Sequence, residues 1–197
     1  MRQVIAVLAL VSCVPVRSPV VGLQDAAGRV TCSAFAVGEH LVTAAHCVHG
    51  KRIGYVTRDL WNRTARGQLV ANVAHIDREH DWAILTPPTL NGLAPLSVGQ
   101  VVVGESVFTI AAKGDWVPSG GLVVTSFFAG ETNGVDKLRW ESTITVAPGW
   151  SGSPVINARG EVVGIVVSCT GTALDSGERV VKKCRPGLSM FVELPGL

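Results

Sequence analysis

The stretch SPVINARGEVVGIVVS, Ser153 to Ser168, decides how this chain folds. Two runs of valine and isoleucine, Val155-Ile156 and Val162 to Val167, are divided by Asn157-Ala158-Arg159-Gly160. β-Branched side chains suit a pleated, half-buried surface, while Asn and Gly tolerate the backbone of turns, so the segment reads as strand, turn and strand. The same grammar continues outward in both directions. VTCSAFAV, HLVTAAHCV, GQLVANVAHI, WAILTPP, VVVGESVFTI, GLVVTSFFAG and STITV are all short apolar runs cut by Gly, Asn, Asp or Pro. In LSMFVEL the period is two, which puts Leu188, Met190, Val192 and Leu194 on one face. No long segment holds a helical period, and the helical expectation is confined to one turn at Thr43 to Val48.

Many short strands, with 22 glycines and 10 prolines among 197 residues, predict an all-β chain closed into barrels or sandwiches. The polar, proline-bearing TPPTLNGLAPLSVGQ, Thr86 to Gln100, separates two halves of similar size. The expectation is therefore two small barrels, residues 18–92 and 100–197, joined by a connector at 93–99. With 47% hydrophobic and 16% charged residues the chain has enough apolar surface for such cores. A net charge of +2 is too small to act as a nucleic-acid footprint. The basic knot Lys182-Lys183-Cys184-Arg185 reads as a solvated loop.

The first 17 residues have a different character. Arg2 precedes an apolar run, Val4 to Val11, which is long enough for a translocon and too short to span a bilayer, the pattern of a secretory signal. Leu10-Val11-Ser12-Cys13 also resembles a bacterial lipobox, in which the cysteine is lipidated. Cys13 is thus expected to tether an exported, periplasmic or extracellular chain to a membrane; the alternative is a buried opening strand. Five cysteines are an odd number, and lipidation of Cys13 leaves four for two disulfides. Proximity in sequence pairs Cys32 with Cys47 and Cys169 with Cys184, one of three possible connectivities. These spacings do not suit zinc, and nothing visible requires a metal or cofactor.

Three local patterns follow one another along the chain: Thr43-Ala44-Ala45-His46-Cys47, Asp81-Trp82-Ala83-Ile84-Leu85, and Gly149-Trp150-Ser151-Gly152-Ser153-Pro154. Each alone has a bland explanation as a packed histidine, a turn-forming aspartate or a glycine loop. Together, and in this order, they resemble the trypsin/chymotrypsin-like serine peptidases, including their bacterial and viral branches. That resemblance covers most of residues 20–197. It implies two adjacent six-stranded antiparallel β-barrels with the active site in the cleft between them, and a peptide or protein as substrate of a monomeric enzyme. Cys32 falls where the family places a partner for Cys47.

The chemistry explains why these residue types belong together. A serine hydroxyl is a poor nucleophile at neutral pH, so an imidazole must take its proton as attack begins. By resemblance Ser151 is the nucleophile and His46 the base, while Asp81 orients the imidazole and stabilises its cation. The amides of Gly149 and Ser151 would form the oxyanion hole. His40, His49, His75 and His80 stand outside the motif and default to surface or packing roles. Trp150 departs from the digestive members, which carry an acid there to pair with a newly cut N-terminus. An indole makes no such ion pair, so VVGL at Val20 to Leu23, although it resembles that N-terminus, is not expected to activate the chain.

The substrate pocket implied by the alignment has Thr145 near its base and Val146 and Val166 on its walls, with Val166, Val167 and Ser168 pairing with an extended peptide. No acid awaits a basic side chain, so a small or apolar residue is expected before the cleaved bond. Two other readings compete: a viral polyprotein-processing peptidase, which Gly-Trp-Ser-Gly also resembles, and a binding module that has kept the barrels and lost the chemistry.

Overall fold

A computed structural model of the protein describes residues 17–59, 65–90, 93–112, 118–130, 136–175 and 180–194. The apolar run Val4 to Val11 and Cys13 lie outside the described residues, as does the side chain of Cys184. The first half forms strands β1 (Arg17–Gln24), β2 (Val30–Val37), β3 (His40–Thr43), β4 (Arg52–Asp59), β5 (Ala65–Asp77) and β6 (Trp82–Thr86). The second forms β7 (Ser106–Ile110), β8 (Pro118–Gly130), β9 (Asp136–Ser142), β10 (Pro154–Asn157), β11 (Val162–Asp175) and β12 (Val180–Glu193). Each set closes into a six-stranded antiparallel barrel, in the order β1-β2-β3-β6-β5-β4 and β10-β11-β12-β9-β8-β7. The expected all-β, two-barrel architecture is what the chain adopts. The one described helical turn is a 3-10 turn at Ala45–Cys47, inside the segment expected to hold it.

The quoted stretch behaves as its composition demands. Val155 lies opposite Gly164 and Pro154 opposite Ile165, and the Asn157 side chain accepts the N–H groups of Arg159 and Glu161 to close the turn between them. VVGL is an interior strand of the first barrel, not a free end. Val20 pairs with Phe35 on one side, and Leu23 pairs with both Cys32 and Tyr55. Val20, Val21 and Leu23 are all buried.

The strand LSMFVEL shows what a two-residue period leaves unsaid. Val192 and Leu194 join the apolar cluster filled by the first barrel, and Met190 packs against it, so these residues do share a partner. Phe191, on the opposite face, is fully buried in the second barrel's cluster, and Ser189 is buried as well. β11 is divided in the same way, with Ile165 and Val167 toward one cluster and Val163 and Val166 toward the other. β11 and β12 are therefore walls shared by two cores. The seam between the barrels is apolar packing, and burying such surface contributes about 25 cal/mol per Å².

The connector is not a free linker. Leu96 N–H donates to Ala36 O at 2.9 Å, Gly99 N–H donates to Val162 O at 2.9 Å, and Val162 N–H returns to Ser97 O at 2.8 Å. Leu93 is buried in the larger cluster. The segment thus stitches β2 to β11, fixing one barrel against the other.

Candidate active site

β3 and β6 pair antiparallel with Thr43 opposite Ala83, so the chain leaving β3 and the chain entering β6 meet at the same rim of the first barrel. His46 lies just beyond that pair in the 3-10 turn, and Asp81 lies just before it. The Asp81 carboxylate is bound to His46 twice over. Oδ1 accepts the backbone N–H of His46 at 2.9 Å, and ring Nδ1 lies 2.9 Å from Oδ2 and 3.1 Å from Oδ1. A carboxylate only accepts, so the neutral ring carries its proton on Nδ1 and keeps a lone pair on Nε2, the tautomer a general base needs. The carboxylate side chain is 20% exposed and the imidazole 45%, so the carboxylate is sheltered while the ring stays accessible.

Asp81 has φ 63°, the one positive value at a non-glycine among the described residues. Aspartate visits the left-handed region more readily than most side chains, yet holding it there costs on the order of 1 kcal/mol. The bonds to His46 offset that cost.

Ser151 is positioned by main chain. Trp150 N–H donates to Ala147 O at 3.0 Å, and Gly149 in that turn has φ 93°. With Pro148 in second place and a positive φ at Gly149, this is a type II turn, in which the peptide between them is flipped relative to type I. A second turn follows directly, closed by Ser153 N–H to Trp150 O at 3.0 Å, with Gly152 at φ 82°. Gly152 is required for a further reason: a Cβ there would run into Ser33 O and Thr43 Oγ1 of the first barrel. Gly152 N–H donates to Val166 O, and Ser33 N–H donates to Ser151 O, both at 2.8 Å. The nucleophile candidate is therefore anchored to both barrels.

Ser33 follows Cys32, which is disulfide-bonded to Cys47, the neighbour of His46. Ser151 and His46 are thus tied to the same short stretch of the first barrel. Among the described residues, the hydrogen bonds to the His46 ring come from Asp81, and Ser151 meets the first barrel through its carbonyl. A ring nitrogen of His46 lies within 4.8 Å of Sγ of Cys32 and Cys47, but sulfurs joined in a disulfide offer no thiolate to a metal.

The residues expected around the substrate are distributed unequally. Thr145 is exposed and Ser168 half-buried, while Val146 and Val166 are buried in the second barrel's cluster and Val167 in the other. Trp150 is half-buried and packs on the second cluster, so its indole covers apolar surface. Cys169 is buried and disulfide-bonded; the expected partner, Cys184, has its side chain outside the described residues.

Several contributors escaped the sequence reading. Ser33 is fully buried, and besides holding Ser151 its Oγ accepts the N–H of Ala112 at 2.9 Å. Its signal was a small polar residue inside the apolar run VTCSAFAV. His80, expected in a surface or packing role, is exposed but paired: ring Nδ1 is 2.8 Å from Asp77 Oδ2. Partial burial works against ionising Asp77, yet the hydrogen bonds from the His80 backbone and ring hold its carboxyl below the ordinary 3.8. His75 stacks obliquely on Trp82, with ring centroids 4.9 Å apart.

Comparison with known proteins agrees with this fold. The protease Rv3671c in its inactive form superposes with a TM-score of 0.68 at 18% identity, covering 90% of this chain and 84% of that one. The MamO protease domain from Magnetospirillum magneticum gives 0.67 at 22% identity, covering 90% and 92%. The HtrA-type protease AlgW, solved with a decapeptide, gives 0.65 at 17%, covering 91% of this chain and 62% of that one. At these identities the likeness shows the fold. No curated protein matches the sequence. The family profile described as the trypsin-like peptidase domain matches residues 32–165, which contain all three motifs and more than half of the chain. This chain therefore belongs to the trypsin-like peptidase family.

Proposed function

We propose that the protein is a serine endopeptidase that cleaves peptide bonds through an acyl-enzyme on Ser151. The observation that carries the reading is the double contact between Asp81 and His46, with Oδ2 2.9 Å from Nδ1 and Oδ1 accepting the His46 N–H at 2.9 Å. In that arrangement Nε2 takes the Ser151 proton as Oγ attacks the substrate carbonyl carbon. The resulting imidazolium is stabilised by Asp81 and returns the proton to the departing amine. Water then enters, His46 removes its proton as the oxygen attacks the acyl carbon, and that proton passes to Ser151 Oγ as its bond to the acyl carbon breaks and the acid is released.

The negative oxygen of each tetrahedral intermediate is assigned to the amides of Gly149 and Ser151. The type II turn at Ala147 to Trp150 supports an oxyanion loop that forms without a newly cut N-terminus, as does the placement of VVGL inside a barrel. We assign a preference for a small or apolar side chain, because Val146 and Val166, expected on the pocket walls, are apolar and packed in the second barrel's core. The backbone of Val167 and Ser168 is the segment left to pair with the peptide, because Val166 already donates its N–H to Ser153 O and accepts the N–H of Gly152. On this reading the N-terminal apolar run and Cys13 deliver the enzyme to an exported, lipid-tethered location.

A fluorophosphonate probe tests the assignment. Wild-type protein should be labelled once, with the mass added on the peptide containing Ser151, and Ser151→Ala should resist labelling and lose peptide hydrolysis. Labelling of the alanine variant at the wild-type rate would refute the nucleophile.

A further inference from the structure

The turn that delivers Asp81 is held at two places besides its contact with His46. Asp77 clasps His80, Oδ1 accepting its backbone N–H at 2.9 Å while Oδ2 lies 2.8 Å from ring Nδ1. From the second barrel, Arg139 on β9 extends its guanidinium across the seam, and Nη1 donates to the carbonyl oxygen of His80 at 3.1 Å. That carbonyl belongs to the peptide unit whose nitrogen is the nitrogen of Asp81. Fixing the plane of this peptide fixes the reference from which φ of Asp81 is measured, and that φ is the 63° noted above.

Part of the turn is not covered by packing. Asp77, His80 and Trp82 border a cavity of about 450 Å³, whose far wall includes Leu138 and Trp140, the neighbours of Arg139 on β9. A wall without atoms opposite it lacks the contacts that resist displacement. His46, Asp81 and Ser151 do not line this cavity, so it is separate from the catalytic cleft. Arg139 itself is only 6% exposed, and burying a guanidinium is unfavourable unless its hydrogen bonds are specific. Its fork of donors on a planar head directs a bond to one carbonyl in a way that an ammonium does not.

We infer that Arg139 is a positioning residue for the catalytic carboxylate: through the His80 carbonyl, the second barrel sets where Asp81 of the first barrel stands. The alignment of the barrels is then coupled to the acid–base pair as well as to the nucleophile. The inference rests on the roles proposed above for His46, Asp81 and Ser151.

Arg139→Gln and Arg139→Lys, made in the full chain, test it. Rates are normalised to the sites titrated by a fluorophosphonate, so loss of folded protein does not count as loss of catalysis. Displacing a catalytic group by about 1 Å costs on the order of 100-fold, so kcat per site should fall roughly 10- to 100-fold in Arg139→Gln, with KM nearly unchanged. Arg139→Lys should fall between wild type and Arg139→Gln, and added guanidinium ion should restore part of the Arg139→Gln rate.

A merely structural arginine would lower the titrated fraction or the melting temperature while leaving the per-site kcat where it is and giving added guanidinium ion no rate to restore. That result in either variant overturns the inference. Turnover surviving in Ser151→Ala would instead remove the catalytic reading beneath it, so the two failures are distinguishable.

Discussion

In the first barrel Asp81 reaches His46 with its carboxylate, at 2.9 and 3.1 Å from the ring nitrogen, whereas in the second barrel Ser151 is placed by main-chain hydrogen bonds. On the proposed reading, the acid–base side depends on what two side chains are. The nucleophile side depends on what two glycines lack, since Gly149 and Gly152 adopt φ of 93° and 82° and Gly152 leaves no room for a Cβ. The difference teaches how such a site divides its risk. Substituting a side chain in the first barrel changes chemistry on an intact frame, while substituting a glycine in the second changes the frame that aims the hydroxyl and the amides.

The sharpest way to break the comparison is Asp81→Asn. The amide is nearly isosteric but can present an N–H to Nδ1, favouring the wrong imidazole tautomer. We expect kcat to fall about 10,000-fold with the melting temperature close to wild type. Steady-state kinetics beside a thermal melt will check this; a loss below tenfold would mean that Asp81 does not set the tautomer.

Gly149→Ala attacks the other side. A Cβ disfavours the positive φ, so the turn should relax toward type I and rotate the Gly149 N–H away from the oxyanion. The expected loss is about 100- to 1,000-fold in kcat. A peptide aldehyde or boronate, which mimics the tetrahedral state, should weaken by a similar factor, while a simple substrate-like ligand should bind almost as before. Equal weakening of both would place the damage in substrate binding.

Asp77→Asn has the smallest expected effect and sharpens the role of the turn. The Asp77 carboxyl is held below its ordinary 3.8, so it contributes stability above that value, and the contribution is lost as pH falls through the lower, folded value. The variant should be less stable than wild type at neutral pH by up to about 1 kcal/mol. The gap should close as the pH is taken below 3.8, because wild type then loses the same interaction. Urea titrations across that range would show it, and a gap that widened on acidification would contradict the pairing with His80.

The motifs were legible in the sequence because each is a local arrangement with a chemical reason: an imidazole, a carboxylate ahead of a strand, and a serine between glycines. Strand-forming runs were legible for the same reason, since β-branched residues and turn formers act over a few positions. Ser33 and Arg139 were not legible. Their roles consist of bonds to residues far along the chain, Ser151 and Ala112 for one and His80 for the other, and nothing adjacent to either residue announces such a partner. Phe191 was hidden for a related reason. A period of two identifies one apolar face, but a strand standing between two cores buries both.

From the sequence alone came the all-β class and the division into two halves, which follow from short-range composition, and the family resemblance carried by three local motifs, which also implies Cys32 as the partner of Cys47. Tertiary structure alone decided that the connector stitches the barrels, that the Asp81 backbone is left-handed, and that a buried arginine of one barrel holds the turn carrying the carboxylate of the other. Those features depend on which groups meet once the barrels close, and hydrogen bonds acting at about 3 Å leave no trace in the spacing of the residues they join.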